Sequence, residues 1–241
     1  MRASFFEKLL IIFRIFLVSL PDTVKVIIGA SFFDDGLAYA DRVIHEWARK
    51  ILGILRVNYQ IIGSDTLEFD DSRPYIVMSN HASHFDIPLI YEALSLERVG
   101  MIAKRELFKI PLFGRGMRLG RCIPVDRDAG GKSLLWLAEA KRSSASGVRI
   151  WIAPEGTRSI DGRLGSFKKG GFKMAVELGA IILPVTIIGS SKILPAKSLD
   201  FSFDEEVRVE FGEVIDSKDY RELGMLKLME DVKNQIASKL V

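Results

Sequence analysis

Residues 80–86 have the side chains that acid–base catalysis needs, at a spacing that a turn can bring together. His81 and Asp86 are five positions apart and follow the apolar run 74–78. Five helical residues rotate the chain by roughly 500°, so these two side chains do not share a helix face. If a tight turn between a strand and a helix brings them together, the imidazole takes a proton from a hydroxyl and the carboxylate fixes its tautomer.

The same segment has simpler interpretations. Asp86 can cap a helix that begins at Ile87 and Pro88, which would leave His81 as a polar loop residue. His84 is a rival base, but it stands only two positions before Asp86 and is less well placed to face it. We therefore take His81 as the base and Asp86 as its partner, and we look for related chemistry elsewhere in the chain.

Cationic side chains follow three further apolar runs. Lys104 follows the run 99–103, Arg127 comes shortly after the run 121–125, and Arg158 lies five residues beyond the run 148–153. Arginine binds phosphate oxygens through two parallel hydrogen bonds, and lysine adds a point charge. The three residues together suit a phosphate monoester, although a surface ion pair is the alternative for each arginine.

Residues 155–158 read Glu-Gly-Thr-Arg and would belong to the same site. Gly156 permits a positive φ and the close approach of a ligand. Thr157 can donate a hydrogen bond. Glu155 is expected either to bind a substrate hydroxyl or to hold an arginine in place.

Strand-like and helix-like segments alternate from residue 56 onward, which predicts an α/β fold with a largely parallel central sheet flanked by helices. Apolar runs predict strands at residues 57–62, 74–78, 99–103, 121–125, 148–153, 181–187 and 207–211. Helices are expected near residues 87–95, 132–141, 171–178 and 218–240. In such sheets ligands bind at the carboxyl ends of the strands, where all the polar groups named above fall.

The N-terminus is apolar but too short to cross a bilayer as one helix. The run 9–20 is interrupted by Arg14 and covers about 18 Å, against a hydrocarbon core of roughly 30 Å. Pro21 is expected to end this helix and Asp22 to cap a second one over residues 23–33, which gives a hairpin that enters one leaflet. The residues expected to contact lipid are Leu9, Leu10, Ile11, Ile12, Phe13, Ile15, Phe16, Leu17, Val18 and Leu20.

We therefore divide the chain into a helical membrane-association segment, residues 1–55, and an α/β domain, residues 56–241. A signal peptide is disfavoured because no small-x-small cleavage site follows the apolar run. A helical pair that packs on the main domain remains an alternative to membrane attachment.

The composition limits the possible partners. The 34 basic and 31 acidic residues give a formal charge of +3, which fits an anionic membrane surface or a phosphorylated substrate and is too weak to indicate nucleic acid. The single cysteine, Cys122, excludes an intrachain disulfide, and the three histidines have no zinc-like spacing. We expect neither a metal nor another cofactor.

Taken together, these motifs resemble the glycerolipid acyltransferase family, in particular the bacterial 1-acylglycerol-3-phosphate acyltransferases. Four blocks occur in order between residues 57 and 215. The first is Asn80, His81, Ser83 and Asp86; the second is Lys104, Glu106, Leu107, Pro111, Gly114, Gly120, Asp126 and Arg127; the third is Pro154 to Ser159; the fourth is Leu183, Pro184 and Val185. Ala153 replaces the usual phenylalanine of the third block, and Pro124 with Val125 replaces the common Phe-Ile of the second.

The resemblance implies transfer of a fatty acyl group to the 2-hydroxyl of lysophosphatidic acid, giving phosphatidic acid. The donor would be a thioester of acyl carrier protein or of coenzyme A, and the enzyme would be monotopic on the cytoplasmic face of the inner membrane. His81 would activate the hydroxyl directly, so no acyl-enzyme is expected, and Ser83 and Cys122 would be structural. An acceptor such as glycerol-3-phosphate or another lysolipid, and a non-catalytic lipid-binding role, remain alternatives.

Overall fold

The computed structural model describes residues 1–65, 67–126 and 134–240, without the side chains of residues 134 and 135. Within this part of the chain the helices are α1 (Phe5–Phe32), α2 (Gly36–Ile54), α3 (Asp86–Ala93), α4 (Phe113–Leu119), α5 (Leu134–Ala145), α6 (Lys169–Leu178), α7 (Ser190–Ile193), α8 (Tyr220–Leu223) and α9 (Met225–Ser238). The strands are β1 (Asn58–Ile62), β2 (Tyr75–Ser79), β3 (Arg98–Lys104), β4 (Ile123–Val125), β5 (Val148–Ile152), β6 (Ile181–Ile188), β7 (Glu206–Phe211) and β8 (Ile215–Asp216).

The described strands form one mixed sheet in the order β1-β7-β6-β2-β5-β3-β4, with β8 paired to β6. Strands β6, β2, β5, β3 and β4 are parallel neighbours, and β7 and β8 run antiparallel to β6. The predicted α/β fold with a largely parallel sheet is confirmed. Because β2, β5 and β3 are adjacent and parallel, the segments that follow them lie at one edge of the sheet.

Both faces of the sheet are covered. Val77 of β2 points into a core that includes Leu52 of α2 and Leu89 of α3. Its neighbours Ile76 and Met78 point to the opposite side, where α6 and α9 supply further apolar side chains. Successive strand residues alternate between faces, so burial on both sides accounts for the uninterrupted apolar sequence of β2.

The N-terminal helix does not end at Pro21, so the prediction of a break there is wrong. Helix α1 continues to Phe32, and its antiparallel partner is α2. Asp22 caps nothing; it is buried inside α1, where its carboxylate accepts from Lys25 at 2.9 Å and from Lys50 of α2 at 2.8 Å. Tertiary contacts along α1 offset the missing proline N–H, which local sequence alone does not reveal.

Helix α1 has a protein-facing side and an exposed side. Ile11 is buried, so the prediction that it contacts lipid is wrong. Ile15 and Val18 are partly buried and pack against the main core, and their contact with lipid stays a prediction. The other seven predicted positions are exposed on the outer side, namely Leu9, Leu10, Ile12, Phe13, Phe16, Leu17 and Leu20. Among the described residues, no helix combines the length and the apolar character needed to cross a membrane.

The C-terminal segment also differs from the prediction of one helix over residues 218–240. A 3-10 turn (Ser217–Asp219) and the short α8 precede α9, and Gly224 separates the two helices with a φ of 87°. A left-handed backbone at Gly224 interrupts the helical hydrogen bonds, and glycine adopts it without steric cost.

Candidate active site

The loop between β2 and α3 brings the predicted base and its partner together. The Nδ1 atom of His81 lies 2.7 Å from Oδ2 of Asp86. The same oxygen accepts the backbone N–H groups of Ala82 at 2.8 Å and Ser83 at 2.9 Å. Helix α3 begins at Asp86 itself and its N-cap is Phe85, with no side-chain cap, so the interpretation of Asp86 as an N-cap is wrong.

The environment of the His81 ring suits proton transfer. Asp86 is fully buried, whereas the His81 side chain is 16% exposed. A carboxylate against Nδ1 favours the tautomer with hydrogen on that atom, which leaves the lone pair of Nε2 available. The indole of Trp151 meets the imidazole edge to face, with ring centroids 5.7 Å apart. The ring is therefore held between a carboxylate and an aromatic wall.

Two neighbours of His81 have structural roles. The amide of Asn80 donates to the carbonyl of Ile187 on β6 and accepts the N–H of the same residue, both at 2.8 Å. Ser83 is buried, and its hydroxyl donates to the carbonyl of Leu194 at 2.9 Å. The hydroxyl of Ser83 is thus engaged inside the protein, as the interpretation of Ser83 as structural requires.

Glu155, at the end of β5, makes contacts that the sequence does not reveal. Its Oε1 accepts the backbone N–H of His81 at 2.9 Å, and its Oε2 accepts the N–H of Gly165 at 2.8 Å. Burial raises the pKa of this carboxyl, against the effect of these two N–H bonds. The predicted contact with an arginine does not occur among the described residues, because both oxygens face backbone N–H groups instead.

The cationic residues lie around the same edge. The pKa of His84 is lowered by desolvation of its ring and by the positive charges of Arg158 and His81, although solvent still reaches His84. Gly156 has the predicted positive φ, 71°, and the ammonium end of Lys168 crosses the position that a side chain there would take. Lys168 is therefore an additional candidate for anion binding.

The remaining predicted residues are less closely grouped. Thr157 is exposed beside Arg158. Lys104 ends β3, one strand beyond β5, and its ammonium lies 3.6 Å from the carboxylate of Glu106. Arg127 lies outside the described residues. The structure thus joins His81, Asp86 and Glu155 directly, with Arg158 and Lys168 at the same edge, and Lys104 lies at the end of the next strand.

This fold and site define an α/β protein with a histidine–aspartate pair beside a cationic loop. The sequence profile of the Acyltransferase family matches residues 59–188, which is more than half of the chain. The chain therefore belongs to the acyltransferase family, and the resemblance found in its motifs is confirmed.

Known proteins that resemble the chain include acyltransferases from plants, animals and bacteria. The chloroplastic 1-acyl-sn-glycerol-3-phosphate acyltransferase LPAT1 of Arabidopsis thaliana is 34% identical over 70% of this chain and 48% of its own length. The human beta isoform is 34% identical over 57% of this chain and 50% of its own length. The chain thus spans about half the length of these curated relatives.

A solved structure covers the chain more completely. The crystal structure of the 1-acyl-sn-glycerophosphate acyltransferase PlsC from Thermotoga maritima superposes with a TM-score of 0.80 and 26% identity. The likeness covers 97% of this chain and 94% of that one, so it includes the N-terminal helices as well as the sheet.

Proposed function

We propose that the protein transfers a fatty acyl group from a thioester to the 2-hydroxyl of 1-acylglycerol-3-phosphate, producing phosphatidic acid. The observation that carries this proposal is the contact of His81 Nδ1 with Asp86, at the edge of the sheet where Arg158 and Lys168 also lie. The relatives named for this activity support the choice of acceptor. The donor is a thioester of acyl carrier protein or of coenzyme A.

In the reaction, Nε2 of His81 removes the proton of the acceptor hydroxyl as its oxygen attacks the thioester carbonyl. Asp86 stabilises the imidazolium that forms and keeps hydrogen on Nδ1. The tetrahedral intermediate then collapses, the carbon–sulfur bond breaks, and the departing thiolate takes the proton back from Nε2. The new ester and a free thiol are the products, and His81 returns to its neutral state.

A phosphate monoester on the acceptor gives the cationic residues their role. Arg158 binds its oxygens through paired hydrogen bonds, and Lys168 adds charge beside the turn at Gly156. This turn brings backbone close to the ligand, with Thr157 as a further donor. We assign Lys104 and Arg127 to the same anion, on the basis of their positions after β3 and β4.

We also propose that the exposed side of α1 rests on a membrane, from which the lipid acceptor reaches the site. Seven large apolar side chains within about three helical turns are costly to leave in water. Arg14 is exposed on α1 and can reach lipid head groups while its aliphatic part stays in the interface. We propose the cytoplasmic face of the inner membrane as this surface.

The deciding experiment is an assay of the purified protein with both thioester donors. We expect label from the acyl donor to appear in phosphatidic acid when 1-acylglycerol-3-phosphate is present. Faster turnover with glycerol-3-phosphate, or with a lysolipid that has a larger head group, would reassign the acceptor. Binding of the lipid without turnover by either donor would support a non-catalytic role instead.

A further inference from the structure

We propose that Glu155 is a positioning residue, which fixes the backbone of the base and does not touch the acceptor lipid. This inference deepens the proposed function, and only its kinetic arm rests on that function. The Glu155 side chain is buried, and its two oxygens face N–H groups from different segments: His81 in the β2–α3 loop and Gly165 before α6. One carboxylate therefore joins the end of β5 to two loops.

The backbone of His81 is held from both sides by the same stretch of chain. Its N–H donates to Glu155 at 2.9 Å, and its carbonyl accepts the N–H of Ser159 at 2.7 Å. Asp86, by contrast, contacts the ring. The main chain and the imidazole of His81 thus have separate supports, and a change at Glu155 moves the ring only through the backbone.

Glutamate suits this position because both of its oxygens are acceptors and neither carries a hydrogen when ionised. Glutamine has one acceptor oxygen and one NH₂ group. In either orientation of its amide, an N–H donor of His81 or Gly165 would face another N–H donor. Glu155→Gln therefore removes one of the two bonds while the size of the side chain is kept, and a buried donor left unpaired is costly.

Gly165 offers a second way to disturb the same contact. A Cβ at this residue would lie 2.8 Å from Oε2 of Glu155, so Gly165→Ala pushes the carboxylate aside without removing it. Gly170 is the matched control because a Cβ there meets nothing within 4 Å. Gly170→Ala tests the same chemical change a few residues further along the chain.

The kinetic experiment compares Glu155→Gln, Gly165→Ala and Gly170→Ala in the full-length protein. We expect the first two to lower kcat by about 100-fold, because a misplaced base loses its reactive geometry. The KM for 1-acylglycerol-3-phosphate should stay within about twofold of wild type, since no contact with the acceptor is lost. Gly170→Ala should behave as wild type. A KM raised tenfold or more at unchanged kcat would make Glu155 a substrate ligand and overturn the proposal.

Hydrogen–deuterium exchange of the same variants provides a readout that needs no activity. The amides of His81 and Gly165 should exchange slowly in wild type and faster in Glu155→Gln and Gly165→Ala. Equal exchange in wild type and both variants would overturn the proposal. If wild type acylates no acceptor, the proposed function fails, yet the exchange data still decide whether Glu155 holds both amides. Should Glu155→Gln fail to fold, Gly165→Ala tests the same contact with the carboxylate present.

Discussion

A single carboxylate oxygen of Asp86, Oδ2, accepts hydrogen bonds from Nδ1 of His81 and from two backbone N–H groups. The loop between β2 and α3 is therefore folded around the carboxylate that contacts the His81 ring. Orientation of the ring and closure of the turn depend on the same atom. Substitutions of His81 and of Asp86 are therefore expected to lower kcat by different amounts.

Replacing His81 with alanine should lower kcat by roughly a thousandfold, because general acid–base catalysis contributes about 10²–10⁴. Binding of 1-acylglycerol-3-phosphate should be retained. His84→Ala is the control: it removes a neighbouring imidazole that does not contact Asp86, and we expect a change of less than about tenfold. A His81 variant with wild-type turnover would reject the mechanism.

Asp86→Asn should have a smaller effect than His81→Ala. The N–H groups of Ala82 and Ser83 would select the amide oxygen at the position of Oδ2, so that Nδ1–H of His81 keeps an acceptor. The lost quantity is the charge that stabilises the imidazolium. A decrease in kcat of about 10- to 100-fold with unchanged thermal unfolding would agree with loss of the negative charge while the hydrogen bond to Nδ1 is kept. A loss equal to that of His81→Ala would indicate that the negative charge itself is indispensable.

Arg158→Ala and Lys168→Ala should each raise the KM for acceptors that bear a phosphate monoester. A hydrogen bond to a charged group is worth about 1.5–3 kcal/mol, which corresponds to roughly 10- to 100-fold in KM. Lys169 is exposed and adjacent in sequence, so Lys169→Ala controls for a general loss of positive charge. An effect on the acyl donor alone would move these residues from the acceptor site to the donor site.

Polar substitutions on the exposed side of α1 should weaken attachment to vesicles. Phe13 and Leu17 are 54% and 51% exposed, and burying such side chains is worth about 1.5–3 kcal/mol each. The double variant Phe13→Ser, Leu17→Ser should partition about 100-fold less well in sedimentation with anionic vesicles. Leu96→Ser is the matched control, since Leu96 is 96% exposed and is not part of α1. Equal partitioning of all three proteins would refute membrane contact through this face.

The thiol of Cys122 should be unreactive in the folded protein. Burial raises its pKa from 9.0 to about 12. A raised thiol pKa means less thiolate at a given pH, and at pH 8 only on the order of one molecule in ten thousand would be ionised. A thiol reagent should therefore modify the protein at pH 8 only after unfolding by denaturant. Rapid modification of the native protein would show that the Cys122 thiol is accessible and ionised.

Much of the site follows from local sequence. A histidine and an aspartate placed between a buried strand and a helix can meet only through the turn. The residue type of Gly156 is enough to indicate that a positive φ is possible there. The part that sequence does not reveal depends on distant pairings. Glu155 accepts backbone N–H groups that are 74 and 10 positions away. Because every residue except proline has a backbone N–H, the residue type does not show which of them Glu155 binds.

The N-terminal helices illustrate the same limit. Apolar composition correctly indicates which segment is exposed and helical, but it does not show which side faces the protein. The continuation of α1 through Pro21 depends on α2, where Lys50 reaches the buried Asp22. Local rules predict a break at this proline because they cannot include a residue 28 positions beyond Asp22.

The side chain of Asn80 continues the hydrogen bonding between β2 and β6 beyond the last paired residue of β2, since its amide bonds both backbone groups of Ile187. The main chain can therefore leave the sheet at Asn80 without opening the ladder. The turn that contains His81 thus starts from a fixed point. Positions in the outer loop, residues 160–168, that do not contact Glu155 can therefore alter which acceptor is admitted while His81 stays in register, so new substrate preferences can evolve here without rebuilding the His81–Asp86 pair.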